Sequence, residues 1–168
     1  MVQYANPRLK LLVSLCRLAG LRKGEAEHLE WSDIDFASNR LHVTEKDDWK
    51  PKTAVSLREV PICPELQEIL LEAYEDAKEG QRLIVGLMDN TDRDMKALRK
   101  KAKVEQYSKP LHTLRKSCIT DWAGRFPMHV AQRWAGHSKI ETTAKYYSQV
   151  RDEDFQKAAE MQHFAAVA

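Results

Sequence analysis

Two arginines, two histidines and a pair of tyrosines stand at the ends of sequence elements: Arg22 in GLRKGE, His112 and Arg115 in HTLR, His137 in AGHS, and Tyr146 and Tyr147 in AKYY. Taken singly, each suits a surface or capping role. Together they suit a phosphodiester. A phosphoryl transition state spreads negative charge over nonbridging oxygens, and arginine is a fixed bidentate donor to them. A tyrosine nucleophile must lose a proton whose ordinary pKa is ~10, so cations and a base must assist it.

Spacing assigns the groups further. Arg22 follows the helix-breaking Gly20, and Glu25 lies one turn along the same face, placed to hold the guanidinium. His112 and Arg115, three apart, also share a helix face. Ile140, Ala144 and Tyr147 fall at i, i+4 and i+7, one apolar stripe that assigns Tyr147 to the core. Tyr146 lies about 100° away, on the side of Thr142 and Thr143, where it can face a ligand. No Gly-rich phosphate loop, HExxH or Ser-His-Asp elbow is present. Cys16, Cys63 and Cys118 are odd in number and in no CxxC spacing, so they read as reduced, mostly core residues of a cytoplasmic protein, with no zinc site.

The elements that must position these groups are mostly helical. RLKLLVSLCRLAG carries the stripe Leu11, Leu12, Leu15, Cys16 and Leu18, with Gly20 after it. A short helix is expected from Arg22 to Leu29, then a loop, WSDIDF. Alternation at Leu41 and Val43 marks a strand and SLREVPI a second, joined by the polar turn EKDDWKPKTAV as a long-looped hairpin. Pro64 opens a helix with Leu66, Ile69, Leu70, Ala73, Tyr74 and Ala77 inward, ended by Gly80. RLIVGL is ambiguous. Thr91 with Asp94 resembles a capping box for the next helix. Further helices are expected over 113–123, with Leu114, Cys118 and Trp122 inward, from Pro127 to before Gly136, around Glu141, and over 152–163. The expected fold is mainly α with a small antiparallel β-sheet, an α+β arrangement.

A chain of 168 residues is one ordinary domain with a sizeable core. No run approaches the ~18 apolar residues a membrane helix needs, and no signal peptide opens the chain. The net charge of +2 hides an asymmetry. Between Arg93 and Lys116 the basic residues Arg93, Lys96, Arg99, Lys100, Lys101, Lys103, Lys109, Arg115 and Lys116 face only Asp94 and Glu105. Between Glu65 and Glu79 acidic residues dominate and read as a solvated helix face. A basic face beside an acidic one suits a polyanionic partner docking from one side.

These residues together resemble the catalytic domain of the tyrosine recombinases, the phage integrase family, over nearly the whole chain. LAGLRKGEAEHLEWSDIDF looks like the first arginine box, which implies Arg22 as a catalytic arginine and Glu25 as its acidic companion. PKTAVSLREVPI resembles the hairpin box of the catalytic lysine, implying Lys52, with Lys50 as the alternative two positions earlier. HTLRKSCITDWA resembles the His-x-x-Arg box, giving His112 and Arg115. AGHSKIETTAKYY resembles the Gly-His box, with a nucleophile nine residues after the histidine, at Tyr146. Gly24 departs from the pattern by standing where a better helix former is usual. Only eight residues precede Leu9, so a catalytic fragment of a longer protein is expected.

The resemblance implies a site-specific recombinase that cuts and rejoins double-stranded DNA without metal, nucleotide or other cofactor. Tyr146 would attack the phosphate to leave a 3′-phosphotyrosyl bond. Arg22 and Arg115 would bind nonbridging oxygens, His137 would add a hydrogen bond, His112 would be the general base and Lys52 the general acid. Lys96, Arg99, Lys100, Lys101, Lys103 and Lys116 are the candidate phosphate contacts along the duplex. The resemblance implies self-association on DNA as a tetramer, and the tail 152–168, with Phe155, Ala159 and Gln162 at helical spacing and Ala158 and Met161 beside them, is a candidate either for exchange between protomers or for folding back on its own domain. Rival readings are a non-catalytic DNA-binding module of the same fold, a helical interaction domain, and a DNA-relaxing enzyme of the type IB topoisomerase kind.

Overall fold

The computed structural model describes residues 2–51 and 53–147, together with Gln156. Seven α-helices and a three-stranded antiparallel sheet make up the described residues. Helix α1 (Pro7–Leu18) begins earlier than its apolar stripe suggests, because Asn6 accepts a hydrogen bond from the Leu9 amide at 2.9 Å and Pro7 occupies the first turn. Its buried face holds Leu9, Leu12, Leu15 and Cys16. Helix α1 packs against α5 (Pro110–Ala123) and α3 (Pro64–Glu75), and this is the centre of the core. Leu12, Leu15, Leu66, Leu70 and Ile119 are almost wholly buried, each such side chain contributing about 1.5–3 kcal/mol relative to exposure.

Gly20 ends α1 with φ +58, and an added Cβ would lie 3.0 Å from the Trp122 ring of α5. Left-handed backbone and close approach both require glycine there. The turn carries the chain straight into Leu21, buried, and Arg22, the N-cap of α2 (Lys23–Glu27).

The segment expected as a loop, WSDIDF, instead forms a 3-10 turn at Trp31–Asp33 and a short strand β1 (Ile34–Asp35). The sheet therefore has a third strand beyond the expected hairpin, in the order β1-β2-β3, with β2 at Arg40–Val43 and β3 at Arg58–Pro61. Leu41 of β2 faces Val60 of β3 in register, and both are fully buried. A two-residue strand carries too little alternation to be visible in sequence. RLIVGL resolves into a bridge between Leu83 and Glu30, with Ile84 and Val85 buried beneath it.

Helix α3 stops at Glu75, before the expected glycine, and Tyr74 is 55% exposed, lying edge-on to Trp31 at 5.0 Å. Thr91 is the first residue of α4 (Thr91–Lys101), after the N-cap Asn90, and its hydroxyl donates to the Met88 carbonyl at 2.9 Å, so the expected capping box is not formed. Helix α5 starts at Pro110, three residues before expectation, which puts His112 in its first turn. Helices α6 (Met128–Ala135) and α7 (Ile140–Ala144) follow, α6 closed by Gly136 at φ +60. The tail 152–168, expected to be helical over 152–163, lies outside the described residues, apart from Gln156.

Candidate active site

Arg22 emerges at the N-terminus of α2, where Glu25 serves it twice. The Arg22 amide donates to Glu25 Oε2 at 2.8 Å, and Arg22 Nη1 donates to Oε1 at 2.6 Å. Arg22 Nη2 donates to the Gly136 carbonyl at 3.2 Å. The side chain is still 39% exposed, so its open edge is available to a ligand. Gly24 is held within this turn. Its carbonyl accepts from His28 Nδ1 at 2.8 Å, and Trp49 stacks on the His28 ring at 4.9 Å.

Arg115 is buried, with Nη1 donating to the Gly20 carbonyl and Nη2 to the Ala135 carbonyl. The two glycine turns that close α1 and α6 are thereby tied to one guanidinium. Burial and the neighbouring Arg22 lower the Arg115 pKa to about 10.

Arg58 of β3 was missed in the sequence. It pairs with Glu25 through Nη2–Oε2 at 2.8 Å and Nη1–Oε1 at 3.1 Å, while its Nε donates to the Trp134 carbonyl at 2.7 Å. A Cβ on Gly136 would lie 3.1 Å from the Arg58 side chain, so glycine lets α6 end against this arginine. Burial would raise the Glu25 pKa, but the Arg58 hydrogen bonds and the charges of Arg58 and Arg22 hold it at about 2. Three guanidiniums, those of Arg22, Arg58 and Arg115, thus meet a single carboxylate. Their charge is not balanced within the cluster. An anion is the complement such a site calls for.

His137 follows Gly136 and is half-buried. Its Nδ1 lies 3.0 Å from the hydroxyl of Thr143. Burial and the charges of Arg115, Arg22 and Arg58 push its pKa down to about 4, so the ring is neutral at ordinary pH. His112, exposed in the first turn of α5, is also shifted down, by partial desolvation and by Lys116, Arg115, Lys109 and Arg22. A neutral imidazole is the form that can accept a proton.

The two tyrosines differ, though not for the reason their periodicity suggests. Ile140, the first residue of the expected inward stripe, is 49% exposed. Thr143, expected on the open side, is fully buried. Helix α7 is rotated so that Thr143 points at His137, and Tyr146, three residues on, follows it there. The Tyr146 ring is roughly parallel to His137, at 21° and 6.2 Å between centroids. Tyr147 turns away, its hydroxyl donating to the Phe126 carbonyl at 2.7 Å.

Lys52 lies outside the described residues. Lys50 is exposed and sits 3.7 Å from Glu45. Just before it, Lys46 and Trp49 exchange backbone hydrogen bonds, and Lys46 Nζ reaches Asp33 at 2.6 Å, pinning this turn to the body. Among the candidate DNA contacts, Lys96, Lys100, Lys101, Lys103 and Lys116 are exposed. Arg99 is 5% exposed, donating Nη1 to the Tyr107 carbonyl at 2.8 Å with its guanidinium over the Tyr107 ring. It braces the α4–α5 connection and is withdrawn from the surface, a correction to the basic face. The described cysteines are free, and no group of His, Cys, Asp or Glu among the described residues is arranged to hold a metal. No helix among them is long and apolar enough to cross a membrane.

A tyrosine recombinase XerC-like protein of Caldanaerobacter subterraneus subsp. tengcongensis is 30% identical over 181 residues, covering 85% of this chain and 46% of the relative. The chain therefore spans about half that relative's length. The catalytic domain of bacteriophage HP1 integrase superposes with a TM-score of 0.64 at 25% identity, covering 95% of this chain and 87% of that domain. The Tn1549 transposon integrase, solved with circular intermediate DNA, gives 0.67 at 19% identity, covering 90% of this chain and 58% of that one. The model of the phage integrase family matches residues 1–154, and the chain belongs to that family.

Proposed function

We propose that this chain cuts and rejoins double-stranded DNA as a site-specific recombinase, through a 3′-phosphotyrosyl intermediate on Tyr146. The observation that carries the reading is the unbalanced cluster of Arg22, Arg58 and Arg115 around Glu25, with His137 and Tyr146 beside it. The scissile phosphate supplies the missing negative charge. Arg22 and Arg115 bind its nonbridging oxygens, and Arg58 fixes Glu25 without reaching the substrate. His137 donates a further hydrogen bond. His112 takes the Tyr146 proton as the oxygen attacks phosphorus, and Lys52 gives a proton to the departing 5′-oxygen. The ester energy is kept in the phosphotyrosyl bond, so a 5′-hydroxyl from another strand reverses the step without ATP.

The exposed lysines of α4, with Lys116, hold the duplex by its phosphates. On this reading the protein works at DNA in the cytoplasm, associated with the nucleoid. It self-associates there as a tetramer, with the segment 152–168 reaching a neighbouring protomer. The solved relatives that carry DNA support a DNA substrate.

The test is covalent capture. A duplex nicked near the cleavage point loses its short 5′-hydroxyl fragment after cleavage, which traps the intermediate. A denaturation-resistant protein–DNA band formed in EDTA is expected. Capture that requires magnesium would refute the mechanism. Plasmid relaxation without exchange between two sites would favour the topoisomerase-like reading.

A further inference from the structure

Thr143 is a polar residue with no exposed surface, and its hydroxyl has His137 Nδ1 as its hydrogen-bond partner at 3.0 Å. The rest of His137 is fixed as well. Its amide donates to the Gln132 carbonyl at 3.3 Å, and its carbonyl accepts from Gln132 Nε2 at 3.2 Å. Backbone and ring are thus held from opposite sides, by α6 and α7.

We propose that Thr143 is a positioning residue that sets the tautomer of His137: its hydroxyl donates to Nδ1, leaving the proton on Nε2 as a donor to the substrate phosphate. The direction of the bond follows from satisfaction of the hydroxyl. Among the described residues Thr143 Oγ1 forms no hydrogen bond other than the one to His137, so a proton on Nδ1 would leave the hydroxyl hydrogen without a partner among them. The charged groups around the ring point the same way. Arg22 at the start of α2, Arg58 of β3 and Arg115 of α5 all oppose a second proton on it, and Tyr146 is the titratable group on the α7 side. With one proton only, its location decides whether His137 can donate to an oxyanion at all. A lone pair on Nε2 would repel that oxygen.

The proposal rests on the phosphodiester reading for its purpose but not for its test. Nitrogen-15 histidine spectra of the DNA-free protein report the tautomer directly, the His137 signals being those lost in His137→Gln. The expected result is a neutral Nε2–H ring in the wild-type protein and in Thr143→Ser. In Thr143→Val a mixture of tautomers or the Nδ1–H form is expected. Single-turnover cleavage of the trapped substrate at saturating DNA should fall about 10–100-fold in Thr143→Val, somewhat less than the ~10²–10³ of losing a transition-state donor outright. Thr143→Ser should restore the rate, with DNA affinity alike in all three. An Nδ1–H ring in the wild type overturns the proposal, and so does a Thr143→Val protein cleaving at the wild-type rate. If Thr143→Val does not fold, the wild-type and Thr143→Ser spectra still decide. An Nε2–H ring in a protein that cleaves no DNA would leave the tautomer standing and sink the recombinase reading.

Discussion

Glu25 and Arg58 face each other as a buried bidentate pair, their side chains 3% and 1% exposed, with Arg58 Nη2 2.8 Å from Glu25 Oε2. The same carboxylate receives Arg22 at 2.6 Å, so one acid orients a buried and a partly open arginine together. The pair joins strand β3 to helix α2, and the Arg58 Nε joins both to the end of α6. Removing either partner leaves the other charge buried. Arg58→Met is therefore expected to destabilise the fold by about 3–5 kcal/mol in urea denaturation. A loss below about 1 kcal/mol would mean that Arg22 and Arg115 can replace it.

The pH dependence of stability should show two steps. His137 has a folded pKa of about 4 against 6.5 in the open chain, so its contribution is fully present above 6.5 and is lost as pH falls toward 4. Glu25 has a folded pKa of about 2 against 4.5, so its contribution is present above 4.5 and is lost as pH falls toward 2. His137→Gln should reduce the fall of the melting temperature between pH 6.5 and 4, leaving the part due to His112, which is also shifted down, and the lower step in place. An unchanged upper step would assign it to another group.

How much of this was legible in the sequence differs by element. Arg22 and Glu25 announce themselves because their contact is local, three residues apart on one helix. Arg58 does not, since its partners Glu25 and Trp134 are distant in the chain and the residue sits in an ordinary strand pattern. The one available signal was an arginine at a position where β3 alternates inward. The periodicity sets Tyr146 on an open side with Thr142 and Thr143, yet Thr143 is the buried residue of α7 and Ile140 an exposed one. A five-residue helix is too short for apolar periodicity to fix its rotation, and here a partly buried hydrogen bond between Thr143 and His137 fixes it instead. Arg99 was counted with the surface cations because charge runs carry no record of burial, and the Tyr107 ring that covers it lies past the helix end.

Gly24 occupies the second position of α2, and a Cβ there would meet the Trp49 ring at 3.7 Å, an ordinary contact. Gly24→Ala is expected to stabilise the protein by about 0.5–1 kcal/mol by reducing the freedom of the unfolded chain. A fall in urea midpoint would show that the Trp49 and His28 stack cannot accept the methyl group.

Lys100 and Lys101 are exposed on α4, whereas Arg99 is buried with its guanidinium over the Tyr107 ring. Lys100→Glu with Lys101→Glu should weaken binding to every DNA sequence about equally and reduce the slope of log K against log salt by about 0.9 for each phosphate left unneutralised. Arg99→Gln should lower the melting temperature and leave the salt slope of the folded protein unchanged. A sequence-selective loss in the lysine variant would mean that this helix reads bases.

On the recombinase reading Tyr146, beside His137 and the arginine cluster, is the nucleophile, and Tyr147 is an anchor held by the Phe126 carbonyl. The most direct measurement is covalent capture on the nicked duplex by the wild-type protein, Tyr146→Phe and Tyr147→Phe, with mass spectrometry of the DNA-linked peptide. No covalent product is expected from Tyr146→Phe despite normal folding and DNA binding, while Tyr147→Phe should retain the product and the nucleotide adduct should map to Tyr146. A captured complex from Tyr146→Phe, or an adduct mapped to Tyr147, would contradict it.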